Sequence, residues 1–201
     1  MNKNKLVFLD ATGMKANPQE IYGLAPAGRQ ARARAPRAQA YEPRVDLLGA
    51  VTLTEPLAVT TTTPEERKEM GVKGFRKPQV KDFFRVDLAP VLAEKKERMV
   101  IVMDKGLNFK PEEVKREIKA GGAEVADVWI LPTSTAKLVS PLDNCLWHDV
   151  KTAVRKQKTQ GADELADAME NTFMALSETE IKPHYQHCAL TTRSDRRKGL
   201  D

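Results

Sequence analysis

With 201 residues, the chain is long enough for one domain with a sizeable core and too short for two of ordinary size. Hydrophobic residues make up 41% and charged residues 30%, and no apolar run approaches the roughly 20 residues that a membrane-spanning helix needs, so we expect no membrane partner. The net charge of +5 is compatible with nucleic acid without requiring it, and two cysteines favour a reducing, intracellular compartment over a disulfide framework.

The first predicted element is a short buried strand over residues 5–10, KLVFLD, which is rich in β-forming residues and ends in Asp10. Residues 11–44 are dense in Gly, Pro and Arg and have no helical or alternating period, so we expect a long loop. Four of its basic residues are candidates for DNA contacts: Arg29, Arg32, Arg34 and Arg37. A solvated linker is the alternative explanation of the same charge.

A β-hairpin and two helices are predicted next. Residues 45–53 and 57–62 are rich in Val, Leu and Thr, and a turn-forming Thr-Glu-Pro separates them. Thr63 and Pro64 then cap and open a short helical turn. From Val80 onward, apolar residues recur near helical spacing, and Pro90 should kink or restart that helix.

Residues 99–132 are typical of a strand–helix–strand unit. The strand in RMVIVMD closes at Asp104 and so repeats the pattern seen at Asp10. The helix begins at Pro111, carries two glutamates in its first turn, where the helix dipole favours negative charge, and ends at Gly121. EVADVWILP supplies the second strand, so the two strands should be parallel.

The last part of the chain is predicted to be helical. Pro141 opens a helix with Asp143 in its first turn, and Trp147 is most simply a core residue of that helix. An apolar stripe at spacing four runs along it: Leu142, Leu146, Val150 and Val154. Three basic residues on it are further candidates for DNA contacts: Lys151, Arg155 and Lys156. A second helix is expected over residues 162–176 and one short helix in the tail.

This element order resembles that of the ribonuclease H-like fold, an α/β mixed sheet flanked by helices. In such a sheet the first and fourth strands are neighbours, so Asp10 and Asp104 would lie side by side and the last helix would bring Asp143 to them. Three carboxylates without a basic partner repel one another, and two bound Mg²⁺ or Mn²⁺ ions would relieve that repulsion. Taken singly, each acid has a simpler explanation, as a strand-ending acid in solvent or, for Asp143, a helix-dipole acid.

Three stretches also resemble the catalytic blocks of the mariner-type DDE transposases and their bacterial insertion-sequence relatives. VFLDATGMKANPQEIYGLAPAGRQARA resembles the first block, in which an aspartate ends a strand and Tyr-Gly-x-Ala-Pro-x-Gly follows. IVMDKGLNFK resembles the second block and ILPTSTAKLVSPLDNCLWHDVK the third, with 38 residues, 105–142, between their acids. The resemblance extends over nearly the whole chain.

The resemblance implies divalent-metal-dependent DNA cleavage and strand transfer, with Asp10, Asp104 and Asp143 as catalytic metal ligands. The implied partners are transposon ends and target DNA, a homodimer is compatible with it, and the location would be the nucleus or the bacterial cytoplasm and nucleoid. We expect one catalytic domain over residues 1–160, a helical extension of it over 161–201, and no N-terminal helix-turn-helix domain.

Departures from the family pattern leave the activity open. Ala11 stands where the family has an acid, and Lys105 and Phe109 replace an Asn-then-His pattern, while Pro-Leu-Asp resembles the pogo-like branch. A catalytically degenerate or domesticated nucleic-acid-binding or assembly protein is therefore the alternative. A cellular ribonuclease H or resolvase-like nuclease fits the fold but not the blocks. Cys145, His148 and a Cys/His group over 184–188 have zinc-like spacing, although packing within helices explains them equally.

Overall fold

The computed structural model describes residues 5–15, 44–71, 74–132, 138–157, 159 and 161–188, without the side chains of residues 144, 186 and 187. Within these ranges, none of the helices has the length and apolar character needed to cross a membrane. Two helical layers enclose one five-stranded sheet.

The sheet is mixed, as the element order predicts. Its strands are β1 (Leu6–Lys15), β2 (Arg44–Val51), β3 (Pro56–Thr62), β4 (Val100–Asp104) and β5 (Asp127–Leu131). They lie in the order β3-β2-β1-β4-β5. β1 pairs in parallel with β4 and β4 with β5, whereas β2 is antiparallel to both of its neighbours. This confirms the predicted neighbourhood of the first and fourth strands and the ribonuclease H-like sheet.

The prediction that the first strand ends at Asp10 is wrong. β1 continues to Lys15, so the first five residues assigned to the loop are strand. The reason is its partner on the other side, because β2 pairs with β1 as far as Lys15 and Arg44. The parallel pairing with β4 does stop earlier, at Leu9 and Met103. Asp10 is therefore the first residue of β1 that has lost its β4 partner.

One helical layer covers the face of the sheet to which Val7 and Leu9 point. It consists of α1 (Pro64–Met70), α2 (Lys77–Asp82), a π-helical segment (Phe83–Leu88), α3 (Ala89–Ala93) and α4 (Pro111–Ala120). Thr63 caps α1 and Pro111 opens α4, as predicted.

The π-helical turn lies immediately before the proline at which the sequence predicts a kink. The Ala89 N–H donates to the Phe84 carbonyl, five residues back. Pro90 has no N–H, so it cannot complete an ordinary helical ladder, and its ring crowds the preceding turn. The wider turn lets the helix restart at Ala89 and continue on the same side of the sheet.

The other layer contains the C-terminal helices. They are a second π-helical segment (Leu142–Leu146), α5 (Trp147–Lys156), α6 (Ala162–Met174) and α7 (Glu178–His187). The predicted stripe is buried throughout, with exposures of 0% to 1% from Leu142 to Val154. Leu165, Met169 and Phe173 of α6 are likewise 0% exposed.

The core is divided by the sheet into two apolar clusters. Leu6 and Phe8 pack against the C-terminal helices, whereas Val7 and Leu9 pack against the layer of α2 to α4. Alternate residues of a strand point to opposite faces, so a strand that is covered on both sides reads as a continuous apolar run. By the same alternation Asp10 belongs to the face of the C-terminal helices, and Ala11 to the opposite face.

Candidate metal centre

The structure places Asp10 and Asp104 on adjacent parallel strands. Because Leu9 pairs with Met103, each acid is the next residue along its strand, on the same face of the sheet. Neighbouring strands lie about 4.8 Å apart, which sets the separation of the two backbones. Asp10 is 8% exposed, whereas Asp104 is half-buried. Of the two predicted ligands, Asp10 is thus the buried one and Asp104 the more accessible to solvent.

The Asp104 side chain is held by the turn that follows its strand. Its Oδ1 accepts a hydrogen bond from the Gly106 N–H at 2.9 Å and so caps the short 3₁₀ helix Lys105–Leu107. This single contact engages one carboxylate oxygen. The other oxygen has lone pairs that suit a hard cation.

Asp143 lies in the π-helical turn ahead of α5. It is exposed, and its backbone N–H donates to Ser140 Oγ at 3.4 Å. The π character comes from the Trp147 N–H, which donates to the Leu142 carbonyl five residues back. Such turns are rare and frequently occur at functional sites. The charge of Asp143 acts on Asp10, so the π-helical turn places the third acid near the first.

The electrostatics of Asp10 show that the three acids act on one another. Burial, and then the negative charge of Asp143, raise the pKa of Asp10 from 3.8 to about 7, and Asp104 contributes a smaller rise. Hydrogen bonds from the Trp147 indole and the Ala11 N–H favour the charged form and oppose this rise. Negative charge is therefore concentrated around Asp10.

The donor chemistry of this trio fits a hard divalent cation. Carboxylate oxygens are the ligands that Mg²⁺ and Mn²⁺ prefer, and a cation would relieve the repulsion that raises the pKa of Asp10. In the part of the chain that the structure describes, no group of three or more His, Cys, Asp or Glu side chains is already arranged to hold one ion. The assignment of Asp10, Asp104 and Asp143 as ligands thus remains a prediction.

Trp147 is a functional candidate that the sequence does not reveal. It is a core residue, as predicted, but its indole Nε1 also donates to Asp10 Oδ2 at 2.7 Å. It lies four residues after Asp143 in the sequence, and this spacing is the one signal that pointed to a shared helix face. Helical periodicity predicts its burial, but the polar partner is 137 residues away.

Basic side chains lie on one flank of the acids. Lys151, one turn beyond Trp147, is half-buried, and burial together with Arg155 and Arg44 lowers its pKa, while the charges of Asp10 and Asp46 act in the opposite direction. Two of the other predicted DNA contacts are on the same helix: Arg155 is half-buried and Lys156 is exposed. Four more lie outside the described residues: Arg29, Arg32, Arg34 and Arg37.

Arg44, whose side chain is exposed, belongs to an ion-pair network with the buried Asp46 and Arg67. Asp46 accepts from Arg44 Nε at 2.7 Å and from Arg67 at 2.6 Å, and Arg67 also donates to the Arg44 carbonyl. Arg67 and Asp46 are 9% and 5% exposed. The network ties α1 to β2 and holds the Arg44 side chain near Lys151.

Two of the residues that depart from the family pattern, Ala11 and Phe109, lie on the far face of the sheet. Phe109 is buried in the apolar cluster, edge-on to Phe84 at 5.5 Å between ring centroids, and Lys77 lies over its ring. Ala11 lines a cavity of about 240 Å³. The remaining lining residues are Thr12, Arg44, Asp46, Gly74, Phe75, Lys77, Val80, Gly106 and Leu107. Neither Ala11 nor Phe109 can supply an acid or a base.

The cysteines and histidines have other partners. His184 Nε2 lies 2.9 Å from Asp149 Oδ2, so it joins α7 to α5, and Cys188 donates to the His184 carbonyl at 3.2 Å. His148 is exposed. These contacts account for His184 and Cys188 by packing and pairing.

Comparison with known proteins identifies the family. The sequence pattern of the family described as "DDE superfamily endonuclease" matches residues 5–166. The chain therefore belongs to the DDE superfamily endonucleases. Comparison with curated protein sequences gives no significant match.

Solved structures of the mariner transposase Mos1 have the same fold. The Mos1 mariner paired-end complex with Mn gives a TM-score of 0.66 at 13% identity, over 90% of this chain and 52% of that chain. The Mos1 strand transfer complex gives 0.64 at 14%, over 92% and 51%, and the catalytic domain of Mos1 gives 0.56 at 11%, over 92% and 77%. The chain thus spans about half the length of the Mos1 chains in the complexes.

Proposed function

We propose that this chain is the catalytic part of a DNA transposase that cleaves and transfers DNA strands with divalent metal ions. The observation that carries the proposal is the concentration of negative charge at one site. Asp10 is buried beside Asp104 and Asp143, and its pKa is raised to about 7. Burying a carboxylate beside other negative charges is costly, and a bound cation would lower that cost.

Asp10, Asp104 and Asp143 would hold the ions. When bound, two divalent ions activate a water or a 3′-hydroxyl and stabilise the leaving oxygen of a phosphodiester. Asp10 lies within β1, where the pairing with β4 ends, and Asp104 is the last residue of β4, so a rigid sheet carries the first two carboxylates. The π-helical turn carries the third at the solvent side. Complexes and domains of Mos1 have been solved with Mn and with Mg, which supports the same class of cofactor here.

DNA is the proposed partner. Lys151 supplies positive charge that acts on Asp10, and Arg155 and Arg44 add positive charge around Lys151. A phosphodiester would have to lie beside the acids for cleavage, where this charge would attract it. The similar Mos1 structures include a paired-end complex with a left transposon end. We therefore propose that this chain binds transposon ends and target DNA. The proposed assembly is a homodimer, and the proposed location is the nucleus or the bacterial cytoplasm and nucleoid. Light scattering of the protein on DNA tests the assembly.

A nicking assay on supercoiled plasmid with Mn²⁺ tests the activity. We expect the full chain to nick DNA and Asp104→Ala to lower the rate by more than about hundredfold, because loss of a ligand exceeds the 10–100-fold cost of losing an outer-shell partner. Asp149→Asn is the matched control, since Asp149 is an exposed acid on α5 whose partner is His184. It should retain the wild-type rate.

The alternative function is a catalytically degenerate protein that binds nucleic acid or supports assembly. Ala11 and Phe109 favour it, because they face the cavity and the apolar core instead of contributing acid or base groups. If wild type and Asp104→Ala are equally inert and both shift DNA in a gel, the alternative is correct and the enzyme proposal fails.

A further inference from the structure

The Trp147 indole makes a buried contact with the central acid of the site. Its Nε1 donates to Asp10 Oδ2 at 2.7 Å, and the two residues are 6% and 8% exposed. An indole has one polar atom, and a buried donor without a partner is costly, so this hydrogen bond satisfies Trp147 and limits rotation of the Asp10 carboxylate at the same time.

The indole is itself fixed by packing. Its ring lies 5.4 Å from the Phe173 ring, tilted by 32°. Gly49 is the residue opposite Asp10 on β2, and a Cβ there would lie 3.0 Å from Trp147 Cη2 and 2.7 Å from Phe173 Cζ. Because Gly49 has no side chain, the rings of Trp147 and Phe173 can pack against β2 next to Asp10.

We propose that Trp147 is a positioning residue that orients the Asp10 carboxylate for metal binding and couples it to Asp143 on the same helical unit. This inference rests on the proposed metal-dependent function. Asp143 and Trp147 belong to consecutive segments, Leu142–Leu146 and α5, with the π-type hydrogen bond between them. A shift of this unit would thus move one ligand and the hydrogen-bond donor of another together.

The consequence concerns the geometry in which Asp10 can bind an ion. The indole donor engages Oδ2 and so restricts the orientations in which the carboxylate can meet a cation. Outer-shell partners of metal ligands typically contribute 10–100-fold to metal affinity. Removing only the N–H, while keeping a flat ring in the core, should therefore weaken metal binding without unfolding the protein.

Trp147→Phe is the informative variant, and Trp129→Phe is its matched control. Trp129 on β5 also donates its indole Nε1 to an aspartate, Asp127 Oδ2, at 3.0 Å, but it is 37% exposed and its partner is outside the proposed trio. Mn²⁺ affinity is measured from the rise in melting temperature with Mn²⁺ concentration at pH 8. We expect about 10–100-fold weaker binding for Trp147→Phe and a change below about twofold for Trp129→Phe.

A second readout does not depend on stability or activity. In Trp129→Phe, Trp147 is the one remaining tryptophan, so its emission should change saturably as Mn²⁺ binds beside Asp10. Adding Asp10→Asn to that background should remove the response. Gly49→Ala, which crowds both rings, should weaken Mn²⁺ binding in the same direction as Trp147→Phe.

The outcomes separate this inference from the function on which it rests. If the wild type binds Mn²⁺ and Trp147→Phe binds it as tightly as Trp129→Phe does, Trp147 is only a core residue and the inference is wrong. If the wild type itself shows no Mn²⁺ binding and no nicking, the proposed function fails first, and the inference fails with it.

Discussion

Competition between a proton and a metal ion at Asp10 gives the sharpest test of the site. The pKa of this carboxyl is raised from 3.8 to about 7 by burial and by Asp143 and Asp104. In the metal-free protein the folded state thus keeps a proton that the unfolded chain releases at lower pH. The stabilising effect is fully present below about 3.8 and is lost as the pH rises to about 7.

The magnitude follows from the size of the shift. Each pKa unit corresponds to about 1.4 kcal/mol, so a rise from 3.8 to about 7 corresponds to roughly 4 kcal/mol of the free energy of unfolding. For a chain of this length, 1 kcal/mol changes the melting temperature by about 2–4 °C. The metal-free protein should therefore melt roughly 10 °C lower at pH 8 than near pH 4, apart from the contributions of other groups.

Mn²⁺ should reverse this loss at high pH. At a concentration of about 100 times Kd, a ligand that binds only the folded state stabilises it by about 2.7 kcal/mol. At pH 6, about one unit below the pKa of Asp10, the proton weakens apparent binding roughly tenfold, and the same Mn²⁺ concentration stabilises by about 1.4 kcal/mol. The Mn²⁺-induced rise in melting temperature should thus fall by about half between pH 8 and pH 6.

Differential scanning fluorimetry over pH 4 to 8, with and without Mn²⁺, measures both effects. Asp10→Asn keeps an acceptor for the Trp147 indole but removes the charge, so it should stabilise the metal-free protein at pH 8 and abolish the Mn²⁺ response. Asp127→Asn is the control, because Asp127 is exposed and pairs with Lys115. An equal Mn²⁺ response in wild type and Asp10→Asn would refute the reasoning.

Two further substitutions test the surroundings of the site. Arg67→Met leaves the buried Asp46 carboxylate without its closest partner and should lower the free energy of unfolding in urea by about 3–5 kcal/mol. Lys68→Met, on the exposed side of α1, is the control and should lower it by under about 0.5 kcal/mol. Equal losses would contradict a buried ion pair. Lys151→Gln should weaken DNA binding and lower the slope of log affinity against log salt concentration by about 1. Lys119→Gln, exposed on α4 in the other helical layer, should change neither quantity. An unchanged slope for Lys151→Gln would show that Lys151 does not contact DNA.

Local patterns predicted the elements of this fold well. The bounds of α4 follow from a proline at its first turn and Gly121 at its end, and both signals act through backbone geometry that a sequence displays directly. The apolar runs that lead to Asp10 and Asp104 were evident because both faces of β1 and β4 are covered there, which makes their residues continuously apolar.

Long-range partners account for what the sequence did not predict. Gly13 is a poor strand former, yet it lies in β1 because β2 supplies the pairing. The helical spacing of apolar residues predicts only that Trp147 is buried, because the pattern counts tryptophan as apolar. The contact with Asp10 depends on its one polar atom, Nε1. The convergence of the three acids was predicted from element order, whereas their degree of burial, which sets the pKa of Asp10, depends on the packing of α5 and α6.

The choice of an acid at position 10 bears on whether the site works. An asparagine there would accept the same hydrogen bond from Trp147 without the charge, and in the metal-free protein at neutral pH it would be more stable. A carboxylate costing roughly 4 kcal/mol is a large fraction of the 5–15 kcal/mol that typically stabilises a folded domain. A bound cation would offset that cost, because it would convert the same repulsion into binding free energy.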